Sequence, residues 1–595
     1  MLRKVPFTSS PLADAWRSCR SAFAGAIVFS GFINVLALTS SMYMLQLYDH
    51  VIPSHSVPTL VGLSVLMLIF YVAYGLLDVI RSRIMSRIGL RFDRALRDRA
   101  FAAVAQLPIR ARPSGDGLQP IRDLDQIRNF MSGAGPTALF DLPWLPLYMA
   151  LVYLLHPWLG LLTLGGAVVL VALTAVTEMR SRHAVQDASG KASARLAFGE
   201  ATRQNAEVIR ALGMGQRFGV KWSALTESYL LDHIASSDVA TTYGNLSKVL
   251  RMILQSAVLG LGAYLVIYGQ ASAGVMVSAS ILAARALAPV EIAIANWRGF
   301  LSARQSAGRL ALLFNALPDH PEVMTLPRPQ KSISVEGLWV AAPGQQQPIV
   351  QNVNFSLNAG DGLAIIGPSA SGKSTLTRVL VGAWRPLRGD IRLDGAALEQ
   401  WPPEMLGTHI GYLPQDIELF DGSVAENISR FDKEAGSVAI ISAAKKAGVH
   451  EMVLRLPAGY DTRIGGGGSQ LSAGQRQRLA LARALYGDPF LVVLDEPNSN
   501  LDAEGDAALM GALRSVRERG GIAIVIAHRP AVMAGLDRVL VMGAGLMQAF
   551  GPRDEVLRKA PVPAPAPLAA AQAAPLANGH YKVISKGRFG PVAGP

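Results

Sequence analysis

Six long apolar stretches, separated by polar segments, dominate the first half of the chain. They lie at Ala22–Leu45, Pro58–Leu77, Thr137–Leu155, Trp158–Val176, Val249–Ile267 and Ala273–Ile292. Each approaches the roughly 20 residues with which a helix crosses the hydrocarbon core of a bilayer. Six such stretches in a row are hard to bury in a soluble protein, and the first is longer than the apolar segment of a cleaved signal peptide. The pattern therefore predicts six membrane-spanning helices in a lipid bilayer.

The segments that follow the second and fourth spans are long, rich in arginine and poor in helix breakers. We therefore expect these helices to continue well beyond the membrane and to turn back through short connecting pieces. The stretch "RPSGDGLQPIRDLDQIRNF" has the breakers for one such turn, and "ATRQNAEVIRALGMG" is a candidate for the other. Spans three to six are joined by short turns on the opposite side.

Beyond residue 330 the pattern changes to alternating strands and helices, which is typical of an α/β domain. Prolines and charges mark a linker before it, and the alanine- and proline-rich end of the chain has no amphipathic period. We predict a cytoplasmic N-terminal segment at 1–20, a six-helix transmembrane domain with two cytoplasmic extensions at 21–316, a linker at 317–330, an α/β domain at 331–560 and a disordered tail at 561–595.

The formal net charge of +13 raises nucleic acid as a candidate partner, but the distribution of the charge argues against it. Lysine and arginine concentrate in the N-terminal segment and after the second and fourth spans, whereas the three intervening loops contain neither. This positive-inside pattern predicts a cytoplasmic N-terminus and a cytoplasmic α/β domain. Cys19 is the only cysteine, which excludes an intrachain disulfide, a thiolate zinc site and an iron–sulfur cluster.

A phosphate-binding motif lies in "LAIIGPSASGKST", which reads as an apolar strand, a turn with two glycines and the start of a helix. Gly367, Gly372, Lys373 and Ser374 match G-x-x-x-x-G-K-[ST], in which backbone N–H groups close around phosphate oxygens. We expect Lys373 to contact the β- and γ-phosphates of a nucleotide and the Ser374 hydroxyl to bind Mg²⁺.

Two later strands end in residues that suit the same chemistry. "FLVVLDEP" is typical of a buried parallel strand that ends in two acids. We expect Asp495 to bind Mg²⁺ and Glu496 to polarise the attacking water. "IAIVIAHRP" places His528 at the same edge of the sheet, within reach of the γ-phosphate. Either feature alone is usually an ordinary strand end, but together with the phosphate motif they predict ATP hydrolysis.

Residues 331–560 resemble the nucleotide-binding domain of ABC transporters. Gln415 in "YLPQD" matches the Q-loop, "LSAGQ" the signature LSGGQ, Ser499–Asp502 the D-loop and His528 the switch histidine, all in the order of the family. The resemblance implies that the signature binds the γ-phosphate of ATP held on the phosphate loop of another nucleotide-binding domain. Because this chain has one copy of each motif, it implies a homodimer with shared ATP sites.

The sequence departs from the family pattern in two places, and its motifs imply a set of site residues. An aromatic residue for stacking adenine is missing from "GLWVAAPGQQQPIV", where Trp339 lies slightly early. Gly466 replaces a glutamate that touches the membrane domain in relatives, so coupling must use other contacts or the backbone. The implied residues are Glu496, His528 and Gln415 for catalysis; Gly367, Ser369, Gly372, Lys373, Ser374, Thr375, Ser472, Gly474, Gln475 and Asp502 for ATP; and Ser374, Gln415 and Asp495 for Mg²⁺.

Six spans followed by one ATPase domain is the arrangement of a half-exporter. The membrane half is similar to the ATPases of bacterial type I protein secretion, especially those that export proteases and lipases, in "MYMLQLYDHVIPSHSVPTL", "FDLPWLPLYM" and "ARALAPVEIAIANW". The resemblance implies a bacterial inner-membrane protein that exports an unfolded polypeptide with an uncleaved C-terminal signal. It also implies two partners, a membrane-fusion adaptor and an outer-membrane channel. With only some twenty residues before the first span, an N-terminal peptidase domain is not expected.

The sequence alone leaves the class of cargo open. An exporter of lipids or small amphipathic molecules has the same architecture and ATPase, whereas the six spans exclude an ABC ATPase without a transport function. Ser278, Ser280 and Arg285 in the sixth span are candidates for lining a conduit. An intramembrane arginine normally faces a cavity or a partner, and the alternative is that Arg285 lies at the cytoplasmic end of a tilted helix.

Overall fold

The computed structural model describes residues 11–110, 117–317, 326–468, 470–527 and 529–559. It has two compact units, which we call the membrane unit and the sheet unit. The membrane unit comprises the chain up to Leu326 with Ala341–Pro348 and Gly382–Leu387, and the sheet unit comprises Pro327–Val340, Ile349–Val381 and the chain from Arg388. His528, the predicted tail at 561–595 and most of the predicted linker at 317–330 lie outside the described residues.

The membrane unit is built of α-helices. Six helical stretches, which begin at Arg20, Val57, Ala134, Pro157, Gly215 and Ala273, are long and apolar enough to span a membrane, and each contains one predicted span. The prediction of a six-span helical domain is therefore confirmed. The helices are α1 (Pro11–Ser18), α2 (Arg20–Ala37), α3 (Thr39–Gln46), α4 (Ile52–Ser54), α5 (Val57–Arg110), α6 (Gln119–Met131), α7 (Ala134–Asp141), α8 (Leu145–Leu155), α9 (Pro157–Gln204), α10 (Ala206–Ala211), α11 (Gly215–Ile267), α12 (Ala273–Ala295) and α13 (Trp297–Ala316).

Three of these helices are much longer than a bilayer is thick. Helices α5, α9 and α11 have 54, 48 and 53 residues. At 1.5 Å per residue each measures roughly 70–80 Å, against a hydrocarbon core of about 30 Å. They therefore continue far outside the membrane, as the arginine-rich segments after the second and fourth spans predict for α5 and α9. In α11 the predicted fifth span forms the second half of the helix, so its first half is the extension. The short helix α10 forms the turn between α9 and α11, within the stretch predicted to reverse the chain.

The turn between α8 and α9 is a single residue. His156 has an extended backbone, and its Nδ1 accepts a hydrogen bond from the Trp158 N–H at 3.3 Å, which caps the N-terminus of α9. Pro157 occupies the first position of the helix, where its missing N–H costs nothing. A side chain at Gly160 would place its Cβ only 2.7 Å from the Tyr153 Cα. Glycine therefore permits the close approach of the two helices.

A buried polar network joins the first three spans. Arg81 on α5 forms an ion pair with Asp141 on α7 at 3.0 Å and donates to the Ser30 hydroxyl on α2 at 2.9 Å. Asn34, one turn further along α2, donates to the same Asp141 carboxylate at 2.8 Å and accepts from the Tyr148 hydroxyl on α8. A buried charge on a membrane-spanning helix is stable only when it is paired. The network therefore fixes the relative positions of these helices.

The first and sixth spans are also held together by polar contacts. The Asp49 carboxylate, in the π-helical turn that follows α3, accepts from the Gly274 N–H at 2.9 Å and from the Ser272 hydroxyl at 2.7 Å at the start of α12. Ser41 and Ser278 exchange hydrogen bonds between side chain and backbone at 3.1 and 2.8 Å. Ser278 is thus buried between helices.

The sheet unit contains a mixed ten-stranded sheet and a two-stranded one. The ten strands lie in the order β5-β4-β1-β2-β12-β11-β3-β10-β9-β6, and those from β11 to β6 are parallel to one another. The strands are β1 (Ser332–Ala341), β2 (Pro348–Asn358), β3 (Gly362–Ile366), β4 (Arg388–Leu393), β5 (Ala396–Ala397), β6 (Ile410–Leu413), β7 (Gly422–Ser423), β8 (Arg463–Ile464), β9 (Leu491–Asp495), β10 (Ile522–Ile526), β11 (Arg538–Gly543) and β12 (Leu546–Pro552).

Helices cover the parallel part of this sheet. Every residue of β9 and β10 is buried, which explains why both strands read as continuous apolar runs. The predicted α/β domain is therefore confirmed. Its helices are α14 (Lys373–Leu380), α15 (Pro403–His409), α16 (Val424–Ile428), α17 (Ser437–Lys446), α18 (His450–Leu454), α19 (Ala473–Leu485), α20 (Ala503–Glu518), α21 (Pro530–Ala534) and α22 (Arg553–Lys559).

One half-buried arginine braces the sheet unit. The Arg430 guanidinium donates to the carbonyls of Arg483 at 3.0 Å and Ala484 at 3.2 Å, at the C-terminal end of α19. It also donates to the Gly407 and Ile410 carbonyls, where α15 meets β6. Burial lowers the pKa of Arg430 to about 10, so the cation remains charged at neutral pH. It satisfies carbonyls that end two helices, where a positive charge is also favoured by the helix dipole.

We expect Arg430→Met to destabilise the sheet unit by about 3 kcal/mol, because four carbonyls lose their donor at once. Thermal unfolding of the purified protein, followed by circular dichroism, measures the effect. Arg455→Met is the matched control, since Arg455 is exposed. Equal unfolding temperatures for the two variants would show that Arg430 does not brace the fold.

Candidate active site

Four adjacent parallel strands bring the predicted chemistry to one edge of the sheet. The phosphate motif follows β3, the acids follow β9, Gln415 follows β6, and β10 ends two residues before His528. These strands are neighbours in the order β3-β10-β9-β6. Since the carboxyl ends of parallel strands meet at the same edge, the segments that follow them line one crevice. Gln415 is exposed there, and the His528 side chain lies outside the described residues.

The loop from Gly367 to Gly372 wraps around the side chain of its own lysine. The Lys373 ammonium donates to the carbonyls of Gly367 at 2.9 Å and Pro368 at 2.8 Å. Burial lowers the pKa of Lys373, and the nearby Glu496 and Asp495 carboxylates act in the opposite direction. Gly367 has a φ of +152°, and a Cβ there would lie 2.1 Å from the Met542 carbonyl oxygen, so only glycine fits.

The first turn of α14 holds the remaining residues of the loop. Gly372 precedes the helix with a φ of +93°, and Ser374 and Thr375 lie in its first turn. Ser369 is exposed at the tip of the loop. The backbone N–H groups at the start of a helix form a site for anionic phosphate groups. The geometry therefore suits the predicted nucleotide phosphates.

Ser371 is a further loop residue, which the motif alone does not single out. Its side chain is buried, with 3% of its surface exposed, and its hydroxyl has no hydrogen-bond partner among the described residues. An unpaired buried hydroxyl costs free energy unless a ligand pairs with it. Its place between the two motif glycines was the available signal.

Asp495 has the properties of a Mg²⁺ ligand. The residue is 2% exposed, and its Oδ1 has no hydrogen-bond partner within the described chain. Its Oδ2 lies 3.5 Å from the Thr377 hydroxyl. Burial raises the pKa of the Asp495 carboxyl, whereas a hydrogen bond from Ser374 lowers it. Because Mg²⁺ prefers carboxylate and hydroxyl oxygens, the unpaired Oδ1 beside Ser374 fits the ion.

Glu496 adopts an unusual backbone conformation directly after β9. Its φ is +50°, in the left-handed region that non-glycine residues seldom occupy. Such conformations persist when the surroundings hold them, and they are common at functional sites. The contacts that hold this one come from Gln477 on α19.

The signature motif forms the N-terminal cap of α19. The Ser472 hydroxyl accepts from the Gln475 N–H at 3.3 Å, and the Gln475 side-chain oxygen accepts from the Ser472 N–H at 2.8 Å. This capping box uses acceptor oxygens and keeps the hydroxyl and amide hydrogens as donors. A Cβ at Gly474 would lie 2.9 Å from the Asn500 carbonyl oxygen, so the motif approaches the D-loop closely.

Gln477 connects the signature helix to the turn after β9, a role that the motif does not reveal. Its side chain is 1% exposed. The amide nitrogen donates to the carbonyls of Glu496 at 3.3 Å and Pro497, and the amide oxygen accepts from the Asn500 N–H at 2.9 Å. A polar residue on the buried face of an amphipathic helix was the only sequence signal.

Asp502 ends the D-loop by capping α20. Its carboxylate accepts from the Gly505 N–H at 2.8 Å and pairs with Arg478 of the signature helix. These two interactions lower the pKa of the Asp502 carboxyl. Within this chain the carboxylate therefore positions the D-loop against α19.

The two halves of the predicted site do not meet within one chain. Among the described residues, no hydrogen bond or ion pair links the signature, at Ser472–Gln475, to the phosphate loop, at Gly367–Thr375. Ser472 and Gln475 pair with each other in the signature, and the phosphate loop holds the Lys373 ammonium. The resemblance to ABC transporters predicts that the signature of a second copy completes the site.

Comparison with known proteins agrees with this geometry. Residues 23–289 match the ABC transporter transmembrane region, and residues 350–499 match the ABC transporter domain. The chain is 52% identical over 545 residues to the type I secretion system ATP-binding protein PrsD of Rhizobium meliloti (strain 1021), covering 92% of this chain and 94% of that protein. The chain belongs to the ABC transporters, among the ATP-binding proteins of type I secretion systems.

Two further relatives extend the comparison. The leukotoxin translocation ATP-binding protein LktB of Mannheimia haemolytica is 29% identical over 543 residues, covering 91% of this chain and 77% of LktB. A solved bacterial Atm1-family ABC exporter with ATP bound superposes with a TM-score of 0.78 at 23% identity, covering 91% of this chain and 96% of that one. The latter shows that this ABC transporter has the exporter fold.

Both departures from the ABC pattern have a structural setting. Trp339 lies within β1, opposite Arg388 on β4, and Ala342 follows the strand. Gly466 begins a short 3₁₀ turn, and a Cβ there would meet nothing within 4 Å. Packing therefore does not require glycine at position 466, and a larger side chain would fit in this unit.

We expect Gln477→Glu to lower the kcat for ATP about tenfold with little change in KM. A carboxylate cannot donate to the backbone carbonyls of Glu496 and Pro497, so the turn that positions the Glu496 side chain loses this support. ATPase kinetics of the purified transporter measure both constants. Gln400→Glu is the matched control, since Gln400 uses only its side-chain oxygen, which accepts from the Ala397 N–H. A rise in KM without a fall in kcat would contradict a role in positioning Glu496.

Proposed function

We propose that this ABC transporter is the ATP-hydrolysing inner-membrane component of a type I secretion system and exports an unfolded polypeptide. The observation that carries the proposal is the 52% identity to a type I secretion ATP-binding protein over 94% of its length. The second relative is named for translocation of a leukotoxin, which is also a protein. Both names favour a polypeptide cargo over lipids or small amphipathic molecules.

In the proposed cycle, two copies of the chain assemble head to tail around two ATP molecules. The phosphate loop of one copy, with Lys373, binds the phosphates, and the signature serine of the other, Ser472, binds the γ-phosphate. Ser374, Gln415 and Asp495 would hold Mg²⁺, which neutralises charge on the phosphates when it is bound. Glu496 polarises the attacking water, and His528 contacts the γ-phosphate.

The N-terminal caps of α14 and α19 supply the electrostatics of this arrangement. Each helix begins with N–H groups that have no backbone acceptor within the helix and with the positive end of the helix dipole, so each attracts phosphate oxygens. α14 has eight residues and α19 has thirteen. With both caps on the same phosphate chain, ATP holds the two copies together, and hydrolysis releases them.

Arg285 gives the membrane unit a charged surface in the middle of a span. It lies at the thirteenth of the 23 positions of α12, and its side chain is exposed in this chain. This position favours a place within the span over the alternative at the cytoplasmic end of a tilted helix. A charge at this depth normally faces water in a cavity rather than lipid, so we propose that Arg285 lines the conduit between the two copies.

The expectation that Ser278 and Ser280, on the same helix, line the conduit is wrong. Ser278 is 1% exposed and Ser280 is 6% exposed. Their hydroxyls donate to the backbone carbonyls of Ser41 and Gln255 on neighbouring helices. Buried helix-to-helix hydrogen bonds, and not a lining role, account for both residues.

The proposal includes the surroundings of the transporter. The N-terminus and the sheet unit lie in the cytoplasm, as the distribution of lysine and arginine indicates. A membrane-fusion adaptor and an outer-membrane channel continue the conduit to the outside. The cargo carries its signal at the C-terminus and keeps it after export.

Secretion from whole cells tests this function. Cells that express the chain with its cognate adaptor and channel should release a protein bearing the C-terminal signal, uncleaved, into the medium. Lys373→Ala in the same cells should leave the cargo inside, whereas Lys433→Ala, at an exposed position, should not. If the cargo stays inside while the purified dimer moves lipids or dyes, the small-molecule alternative is correct.

A further inference from the structure

The membrane unit contains a cavity of about 190 Å³ among its helical extensions. Its walls come from α6, α9, α11 and α13. A cavity needs only about 15 Å³ to hold one water, so this one has room for a substantial ligand group. It is separate from the phosphate loop and the signature, which both lie in the sheet unit.

The rim of the cavity is basic and polar. Arg122, Arg298 and His233 line it, together with hydroxyl and amide side chains, and no aspartate or glutamate does so among the described residues. Two carboxylates on the same helices, next to cavity residues in the sequence, pair with other cations. Asp123 forms an ion pair with Arg309 at 2.6 Å, and Asp232 with Lys191 at 2.7 Å. The cavity therefore carries a net positive potential and favours an anionic ligand.

One wall of the cavity is apolar. Val185, Ala188, Ala192 and Leu196 recur every three or four residues and form one face of α9, flanked by serines. Val185 and Ala188 are buried. A ligand that fills the cavity consequently needs an apolar part against α9 and an anionic part against the rim. An inorganic phosphate ion lacks the apolar part.

The position of the cavity excludes a lipid headgroup. The predicted fourth span ends at Val176, so the cavity residues of α9 begin nine residues further, which is roughly 14 Å along the helix. On α11, His233 precedes the start of the fifth span at Val249 by sixteen residues, roughly 24 Å. The polar headgroup layer is only about 5–8 Å thick on each side of the hydrocarbon core. Arg298 on α13 follows the end of the predicted sixth span at Ile292 by six residues, roughly 9 Å, and so lies just outside this layer. The rest of the cavity lies further from the lipid.

We propose that this cavity binds a short segment of the exported polypeptide that combines acidic with apolar side chains. The inference rests on the proposed export of a polypeptide, because a chain on its way to the conduit is then present at this level. Apolar side chains contact the α9 face, and carboxylates of the segment pair with Arg298 and its basic neighbours. The cavity thereby selects cargo by charge before transport.

Peptide binding to the full-length transporter in nanodiscs of neutral phosphatidylcholine tests the proposal. The probes are a fluorescent peptide of four Leu-Glu repeats and the matching peptide of four Leu-Gln repeats. We expect the Leu-Glu peptide to bind at least about fivefold more tightly, by fluorescence anisotropy, and to weaken with added salt. Equal affinities would overturn the proposal.

Two variants locate the binding. Arg298→Gln should weaken binding of the Leu-Glu peptide about fivefold, since one partly buried ion pair is lost. Arg304→Gln is the matched control on the same helix, because Arg304 pairs with Glu178 and does not line the cavity. An unchanged affinity in Arg298→Gln, or an equal loss in both variants, would place the peptide elsewhere.

A labelling experiment avoids any change to the basic rim. Cys19 is buried, so Ser189→Cys introduces an accessible thiol in the cavity wall. The Leu-Glu peptide should slow its alkylation by a maleimide, and the Leu-Gln peptide should not. Equal protection by inorganic phosphate alone would identify a phosphate site and overturn the peptide proposal. Protection in a transporter that secretes no protein would refute the proposed function and leave the cavity as a peptide site.

Discussion

We expect Glu496→Gln to lower ATP turnover by at least about 100-fold while ATP still binds, because an amide cannot take up a proton or polarise water as a carboxylate does. The geometry supports this role, since Glu496 follows the buried β9 and is held at a φ of +50°. ATPase assays and binding of a fluorescent ATP analogue measure the two properties separately. The loss exceeds that expected for Gln477→Glu, which only displaces the same carboxylate.

The matched control for this variant is Glu555→Gln. Glu555 is exposed on α22, in a part of the sheet unit without predicted chemistry, so its turnover should equal that of the unmodified protein. Turnover of Glu496→Gln near the unmodified level would remove Glu496 from the mechanism and leave His528 or Gln415 as the residue that activates water.

The second large effect is recovery of activity when two inactive variants are mixed. Lys373→Ala removes the charge that binds the phosphates, and Ser472→Arg blocks the signature, so either homodimer has two damaged sites. A mixed dimer has both defects in one shared site and none in the other. With random pairing about half of the dimers are mixed, so independent sites give about a quarter of normal turnover.

The control is a mixture of the Lys373→Ala protein with the Glu496→Gln protein. Both residues belong to the half-site built around β3 and β9, so a mixed dimer carries one defect in each shared site and stays inactive. If the Lys373→Ala and Ser472→Arg mixture stays equally inactive, nucleotide trapping in that mixture shows whether its intact site binds ATP. A monomer with full activity at high dilution would contradict the shared site.

The elements that sequence reasoning predicted well are those specified by local patterns. Each span is a long apolar stretch, so its length alone identifies it, and each contains its predicted residues. The phosphate loop follows from glycines that no other residue can replace, as the 2.1 Å approach at Gly367 shows. β9 and β10 read as apolar runs because helices cover both faces of the sheet. Such features need no knowledge of distant contacts.

The contacts that cross the chain were decided by the tertiary structure alone. In the sequence, Gln477 is one of several polar residues in the signature segment. Only the fold shows that its side chain supports the turn that contains Glu496. Ser278 and Ser280 suggested a polar lining, yet the neighbouring helices bury both. The cavity between α6, α9, α11 and α13 draws its basic rim from segments as far apart as Arg122 and Arg298.

The sequence by itself therefore determined the six spans, the α/β class of the second domain and the identity of the nucleotide motifs, because these depend on residues that are near one another in the chain. The tertiary structure decided which polar side chains are buried, which ones face a cavity, and how the signature helix supports the turn that contains Glu496. Those outcomes depend on packing between separate elements, some of which are more than a hundred residues apart in the chain, as the hydrogen bond from Asn34 to Asp141 illustrates. Local patterns carry no record of such pairings, since a buried polar group is stabilised by whichever distant partner the fold supplies.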